Sequence, residues 1–213
     1  MRRASRISRD RYSEIEYHQF TQSATTEFFI AAAGVLSWPV TVPMALLARL
    51  SDFVFLFFSQ ALSLVPYVIG TIVRFEFYRF ALRKCGKNVM IGFGTVFLYR
   101  DIEIGSNVLI GMYNTVHHCD FGSYVLTAEG CRFLSGSKYH NYDRTDIPMA
   151  KQGGCLKRIV ISDDVWIGAN SVVMACMGRG SIAGAGSVVT SDIDDYMIVA
   201  GVPARRIKMR GQG

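Results

Sequence analysis

The 213-residue sequence predicts a mainly β chain wound as a parallel β-helix, preceded by an α-helical membrane hairpin and an amphipathic helix. Three observations carry this expectation. An aliphatic residue followed by glycine recurs every six residues through the second half of the chain. Two long runs near the N-terminus, Phe28 to Ala48 and Phe53 to Val73, hold no charged residue except at their connection. The six-residue pattern stops over residues 138–157, around His140, and then resumes.

In chain order, residues 1–26 form a polar arm with arginines at positions 2, 3, 6, 9 and 11, expected at a membrane interface or poorly ordered. Residues 27–87 are expected to hold the hairpin and an interfacial helix. Each uncharged run has about the twenty apolar residues that a helix needs to cross the hydrocarbon core. A signal peptide explains the first run but not the second. A buried core hairpin is the alternative, although a core helix normally keeps a polar face. Pro39, Pro43 and Pro66 interrupt the runs, so a re-entrant hairpin stands beside two full spans.

Basic residues lie on both outer flanks of the runs, with Arg74, Arg79, Arg83, Lys84 and Lys87 after the second. Positive-inside logic then places both termini and the following domain on the cytoplasmic side of the inner membrane. Clustering at membrane edges accounts for much of the net charge of +6 and argues against nucleic acid as a partner. The segment Arg74 to Asn88 mixes aromatic and basic residues and reads as an amphipathic helix lying at the interface. The five cysteines are odd in number and show no C-x-x-C spacing, which fits reduced thiols. No metal site is expected, since the only close histidines are the adjacent His117 and His118.

Residues 88–213 carry the repeat. Ile91-Gly92, Ile104-Gly105, Ile110-Gly111, Ile167-Gly168, Met177-Gly178 and Ala183-Gly184 mark the sides, with small residues such as Asn114, Ser181 and Ser187 at the fourth offset. Such a period is neither helical nor a simple alternating strand. It fits a flat-sided solenoid in which one aliphatic per side faces the axis, a glycine relieves each corner and three sides make one coil. Between Val173 and Met177 one side is two residues short.

Over residues 86–210 the sequence resembles the hexapeptide-repeat acyltransferases, in their galactoside/maltose and surface-polysaccharide O-acetyltransferase branch. The stretches "VISDDVWIGANSVV" (Val160 to Val173), "IAGAGSVVTSDI" (Ile182 to Ile193) and "VAGVPARRIK" (Val199 to Lys208) carry the likeness, and the hairpin lies outside it. The resemblance implies a left-handed coil, a homotrimer and an acetyl-CoA site between adjacent subunits, without a metal. It implies a catalytic base at His140 on a loop that leaves the coil, with Tyr142 and Asp143 beside it as candidates to orient the ring or contact the acceptor. It implies cofactor contacts at Trp166, Ala169, Ala185, Thr190, Ser191, Arg205, Arg206 and Lys208, the cations meeting phosphates. On the acceptor side the candidates are Asn114, His117, His118 and Asp120. For Asn114 an ordinary inner-turn role is the equal alternative, and for Trp166 coil packing is.

The function expected is O-acetylation of a sugar in a lipid-linked or polysaccharide precursor, the anchor raising local concentration. A soluble acceptor such as a free sugar, amino sugar or serine is the first alternative. A non-catalytic β-helix scaffold in a glycan-assembly complex is the second.

Overall fold

A computed structural model describes residues 24–136 and 139–212, with side chains from residue 28 onward in the first helix. The expected arginine-rich arm lies outside the described residues as far as residue 23. Three helices, α1 (Ala24–Ala48), α2 (Asp52–Ser63) and α3 (Tyr67–Ala81), precede the coil. The first coil is β1 (Lys84–Cys85), β2 (Val89–Ile91) and β3 (Val96–Phe97). The second is β4 (Glu103–Ile104), β5 (Val108–Ile110) and β6 (Thr115–Val116), and the third β7 (Cys119–Phe121), β8 (Leu126–Thr127) and β9 (Arg132–Phe133). After the excursion come β10 (Ile159–Ile161), β11 (Trp166–Ile167) and β12 (Val172–Val173), then β13 (Ile182–Ala183) and β14 (Val188–Val189). The chain ends with β15 (Met197–Ala200) and β16 (Arg205–Met209).

Strands at equivalent places pair in parallel and form three faces. The first face is β1-β4-β7-β10, continued by single bridges at Met177 and Ile193. The second is β2-β5-β8-β11-β13-β15, closed by the antiparallel β16. The third is β3-β6-β9-β12-β14.

The repeat explains the packing. Ile91, Ile104, Ile110, Ile161, Ile167 and Ala183 are fully buried along the axis. Glycine is required at the corners because successive coils touch there: a Cβ on Gly105 would sit 2.5 Å from the Gly122 carbonyl carbon. The fourth-offset residues turn inward and bond their own corner, Ser181 Oγ donating to Gly178 O at 2.7 Å and Ser187 Oγ to Gly184 O. The short side between Val173 and Met177 is not an isolated departure. Ile161 pairs with Met177 and Met177 with Ile193, a step of 16 residues each time, so the same corner tightens in two successive coils.

The helical part differs from a simple hairpin. The second uncharged run breaks after Ser63, and Pro66 starts α3. At 12 residues α2 is about 18 Å long, too short for a hydrocarbon core of about 30 Å. The break is held by Arg74, counted in the sequence as a flanking charge but in fact buried. Its Nη1 donates to the carbonyls of Leu62 and Val65 and its Nε to Ile91 O. Arg74 thus serves carbonyls at the end of α2 and at the edge of β2, where helix and strand leave acceptor capacity free. The segment 74–88 is likewise no separate interfacial helix. Helix α3 runs through it to Ala81 with Glu76, Phe77 and Tyr78 buried, and the coil already begins at Lys84.

Together α2 and α3 cap the first coil. Ser59 Oγ accepts Phe97 N at 3.0 Å, Ser63 O accepts Gly94 N, and the Tyr78 ring lies 4.7 Å from that of Phe97. Helix α1 packs outside α3, where Trp38 Nε1 donates to Glu76 Oε2 at 2.8 Å.

Candidate active site

The corner between the third and first faces collects the chemistry. In the first coil it carries Tyr99, in the second His117 and His118, and in the third Ser135, where the chain leaves the coil. It returns at Lys157, whose N donates to Ser135 O at 3.0 Å and closes the neck. The coil resumes as Ile159 N donates to His118 O, while His118 N donates to Ser135 Oγ at 3.2 Å. The excursion therefore springs from a corner already fixed by the coil beneath it.

Its own frame is a ladder of polar contacts. Asn141 N donates to Gly153 O, and Asn141 Nδ2 to Gln152 O. Gln152 Nε2 donates to the carbonyls of Arg144 and Ile147, and Arg144 pairs with Asp146. Only glycine fits at position 154, since a Cβ there would lie 1.8 Å from Tyr139 O. This frame presents His140 to solvent, with its ring 4.7 Å from that of Tyr139. Tyr142 and Asp143 are exposed next to it, and among the described residues neither hydrogen-bonds His140.

Below the loop lies an aromatic column. Tyr99 stacks on His118 with ring centres 3.8 Å apart and 16° between planes, and Tyr139 stands edge-on to His117 at 6.1 Å. Burial, and then the charge of His118, hold His117 below the usual imidazole value. Burial and nearby Arg158 lower His118, against the opposing pull of Asp101, Asp52 and Asp120. Both shifts favour the neutral form of the ring. His117 Nδ1 is buried without a partner among the described residues. Burial and the neighbouring Tyr139 raise the Tyr99 phenol. The sequence reading missed Tyr99 and Tyr139. Tyr99 was findable, because it precedes His118 by the step that pairs Val96 with Thr115.

Two acceptor-side candidates are otherwise employed. Asn114 is buried inside the coil, Nδ2 donating to Thr127 Oγ1 and Ala128 O while Oδ1 accepts Cys131 N at 2.6 Å. It is the inner-turn residue of the alternative. Asp120 accepts Glu103 N and pairs with Arg158 and Arg83, which leaves its carboxylate committed to the first face.

The cofactor candidates divide. Ala169 and Ala185 stack at the corner between second and third faces, where a Cβ on Gly168 would meet Ala185 N at 2.4 Å. Trp166 points outward from the second face and is half exposed, so coil packing is not its role. Arg205, Arg206 and Lys208 are exposed on β16 beside that face. Thr190 and Ser191 sit instead at the corner of the His140 loop, two coils further along. Exposed small residues and exposed cations suit a pantetheine arm and its phosphates. Within one chain, however, the alanines and His140 occupy different corners.

Comparison with solved structures decides the fold. A galactoside acetyltransferase in complex with coenzyme A aligns over 76% of this chain and 80% of its own, at 23% identity and TM-score 0.62. A hexapeptide-repeat-containing acetyltransferase from Vibrio cholerae aligns over 88% and 93%, at 24% identity and TM-score 0.57. This is the hexapeptide-repeat acetyltransferase fold. The coil is accordingly a left-handed parallel β-helix, as the family resemblance implied. A maltose O-acetyltransferase from Clostridium difficile shares the fold at 20% identity and TM-score 0.60, covering 74% of this chain and 86% of its own. No family model matches the chain. A probable acetyltransferase from Mycobacterium tuberculosis is 33% identical over 130 residues, 60% of this chain and 37% of its own length. A chloramphenicol acetyltransferase from Klebsiella aerogenes is 47% identical over 105 residues, 42% of this chain and 50% of its own. The chain thus spans half or less of the length of these curated relatives.

Proposed function

We propose that the chain is an acetyl-CoA-dependent O-acetyltransferase with His140 as general base, acting on a sugar hydroxyl of a lipid-linked or polysaccharide precursor. The observation that carries the reading is His140 itself. It stands exposed on a framed loop clamped at its neck, on a fold shared with an acetyltransferase solved with coenzyme A. Acetyl-CoA supplies the acyl group as a thioester. His140 takes the acceptor hydroxyl proton as the oxygen attacks the thioester carbonyl. The carbon–sulfur bond then breaks, and His140 returns the proton to the leaving thiolate. Both substrates bind together, so no acyl-enzyme is required.

A homotrimer supports this chemistry, because the corners that hold His140 and the alanines are apart in one chain. The outer side of the second face is an in-register apolar ladder of Met90, Leu109, Leu126, Trp166, Ile182 and Ile198. The outer side of the first face instead carries Lys84, Glu103 and Asp120. A second copy laid on the apolar ladder brings its own loop toward Trp166. Helix α1 has a 21-residue stretch long and apolar enough to cross a membrane, with only 17% of its apolar window buried, and supports attachment to a membrane. The basic flanks of the two runs support the cytoplasmic face.

Similarity to a chloramphenicol acetyltransferase favours a soluble acceptor as the second reading. Thiol release from acetyl-CoA separates the two. Faster release with a lipid-linked sugar than with the same free sugar supports the first, and equal rates support the second. No release with any acceptor leaves only a scaffold.

A further inference from the structure

We infer that the helical cap docks on one leaflet of an anionic bilayer without crossing it, and that it holds the His140 corner at head-group height to receive a lipid-borne acceptor. This rests on the membrane attachment proposed above and fixes its geometry.

The middle of α1 decides the depth. Gly34 leaves room there for the Glu76 carboxylate, whose Oε1 would lie 2.8 Å from a Cβ at that position. Trp38, the midpoint of the Phe28–Ala48 run, donates its indole N–H to the same carboxylate. Arg79 approaches Glu76 at 3.6 Å and is nearly half exposed, its guanidinium 5.6 Å from the Phe80 ring. Were α1 to cross the bilayer, this charged pair would lie at mid-membrane, the least favourable depth for it. Helix α3 cannot withdraw to relieve the conflict. It enters the first coil directly and is pinned to Ile91 O through Arg74. Helix α2 is too short to cross.

The outward side of the same unit is nevertheless apolar. Leu36, Val40 and Leu47 on α1, Phe53 and Phe57 on α2, and Val68 on α3 are exposed while their opposite faces are buried. The chain ahead of α1 carries arginines at positions 2, 3, 6, 9 and 11, which complements anionic head groups. Apolar surface this broad beside a basic flank suits contact with an anionic lipid surface.

The site lies close by. Arg100, next to Tyr99, pairs with Asp52 at 3.2 Å and donates to Arg49 O, so the α1–α2 turn touches the catalytic corner. Coils stack at about 4.8 Å, which puts the loop neck roughly 10 Å beyond the first coil. A sugar borne on a membrane lipid reaches His140 at that height.

The test uses the full chain with Trp166→Phe, which leaves Trp38 as its single tryptophan. It is bound to vesicles of phosphatidylcholine and phosphatidylglycerol whose acyl chains carry bromine either near the head group or near the chain ends. Leaflet docking predicts stronger quenching of Trp38 by the shallow bromines, and no quenching in the Trp38→Phe chain, which retains Trp166 on the coil. Stronger quenching by the deep bromines means that α1 crosses, and no quenching by either means that the cap does not dock; each overturns the inference. Equal quenching of Trp166 would place the coil itself in lipid and also overturn it. The readout contains no turnover step, so an inactive protein that quenches from the shallow position removes the acetyltransferase reading alone.

Discussion

At the scale of single residues, the corner combines the solvent-exposed His140 with two half-buried imidazoles, His117 and His118. His117 and His118 are held below the ordinary value of 6.5, chiefly by burial, so the unfolded chain binds more protons than the folded one as pH falls through that value. Stability is therefore unaffected above pH 6.5 and declines below it, until the folded values are passed. Thermal unfolding between pH 5 and pH 7 checks this, and His117→Gln is expected to flatten the slope. Asn114 gives a second residue-scale prediction. Asn114→Ala leaves Cys131 N buried without its partner and is expected to cost about 1–3 kcal/mol in urea unfolding, with the acceptor KM of the folded fraction unchanged. The excursion that carries His140 was legible in the sequence because it interrupts a strict period. The occupation of Asn114 and Asp120 was not, since a period shows which residues turn inward but not which neighbours saturate them.

Among the elements, the cap shows where hydropathy ceases to inform. The run Phe53 to Val73 reads as one apolar helix, yet Pro66 and the reach of Arg74 split it and turn its pieces onto the first coil. A window average sees Arg74 and Glu76 as charges that end a span. Only packing shows that one caps a helix end and the other receives an indole N–H. Arg74→Met removes the side-chain donor to the carbonyls of Val65 and Ile91 and one of the donors to Leu62 O, and is expected to lower stability by about 3 kcal/mol, with Arg74→Lys a partial rescue at best. Chemical unfolding of both variants measures it. The coil, by contrast, was legible side by side, because every inward aliphatic and corner glycine repeats the same steric demand. Its tightened corner was half legible: the short side after Val173 stood out, while the matching side after Val189 showed only once Met177 and Ile193 were seen to pair.

For the whole molecule, His140 and the alanine corner are apart in one chain, and the proposed function therefore requires a second copy to bring them together. Leu126→Arg places a charge in the apolar ladder of the second face without disturbing the core. It is expected to convert a trimer to monomers by sedimentation equilibrium and to abolish turnover with the fold intact by circular dichroism. A monomeric wild type of full activity would contradict the assembly. The apolar ladder itself could not be located from one sequence, because outward apolar residues are informative only once their register stacks them. The central claim is that His140 moves the acceptor proton. Transfer of isotope-labelled acetyl from acetyl-CoA to a sugar acceptor, followed by mass spectrometry for wild type and His140→Ala, tests it most directly. The account predicts a fall of about 10²–10⁴-fold with coenzyme binding retained, and equal rates for the two proteins would contradict it.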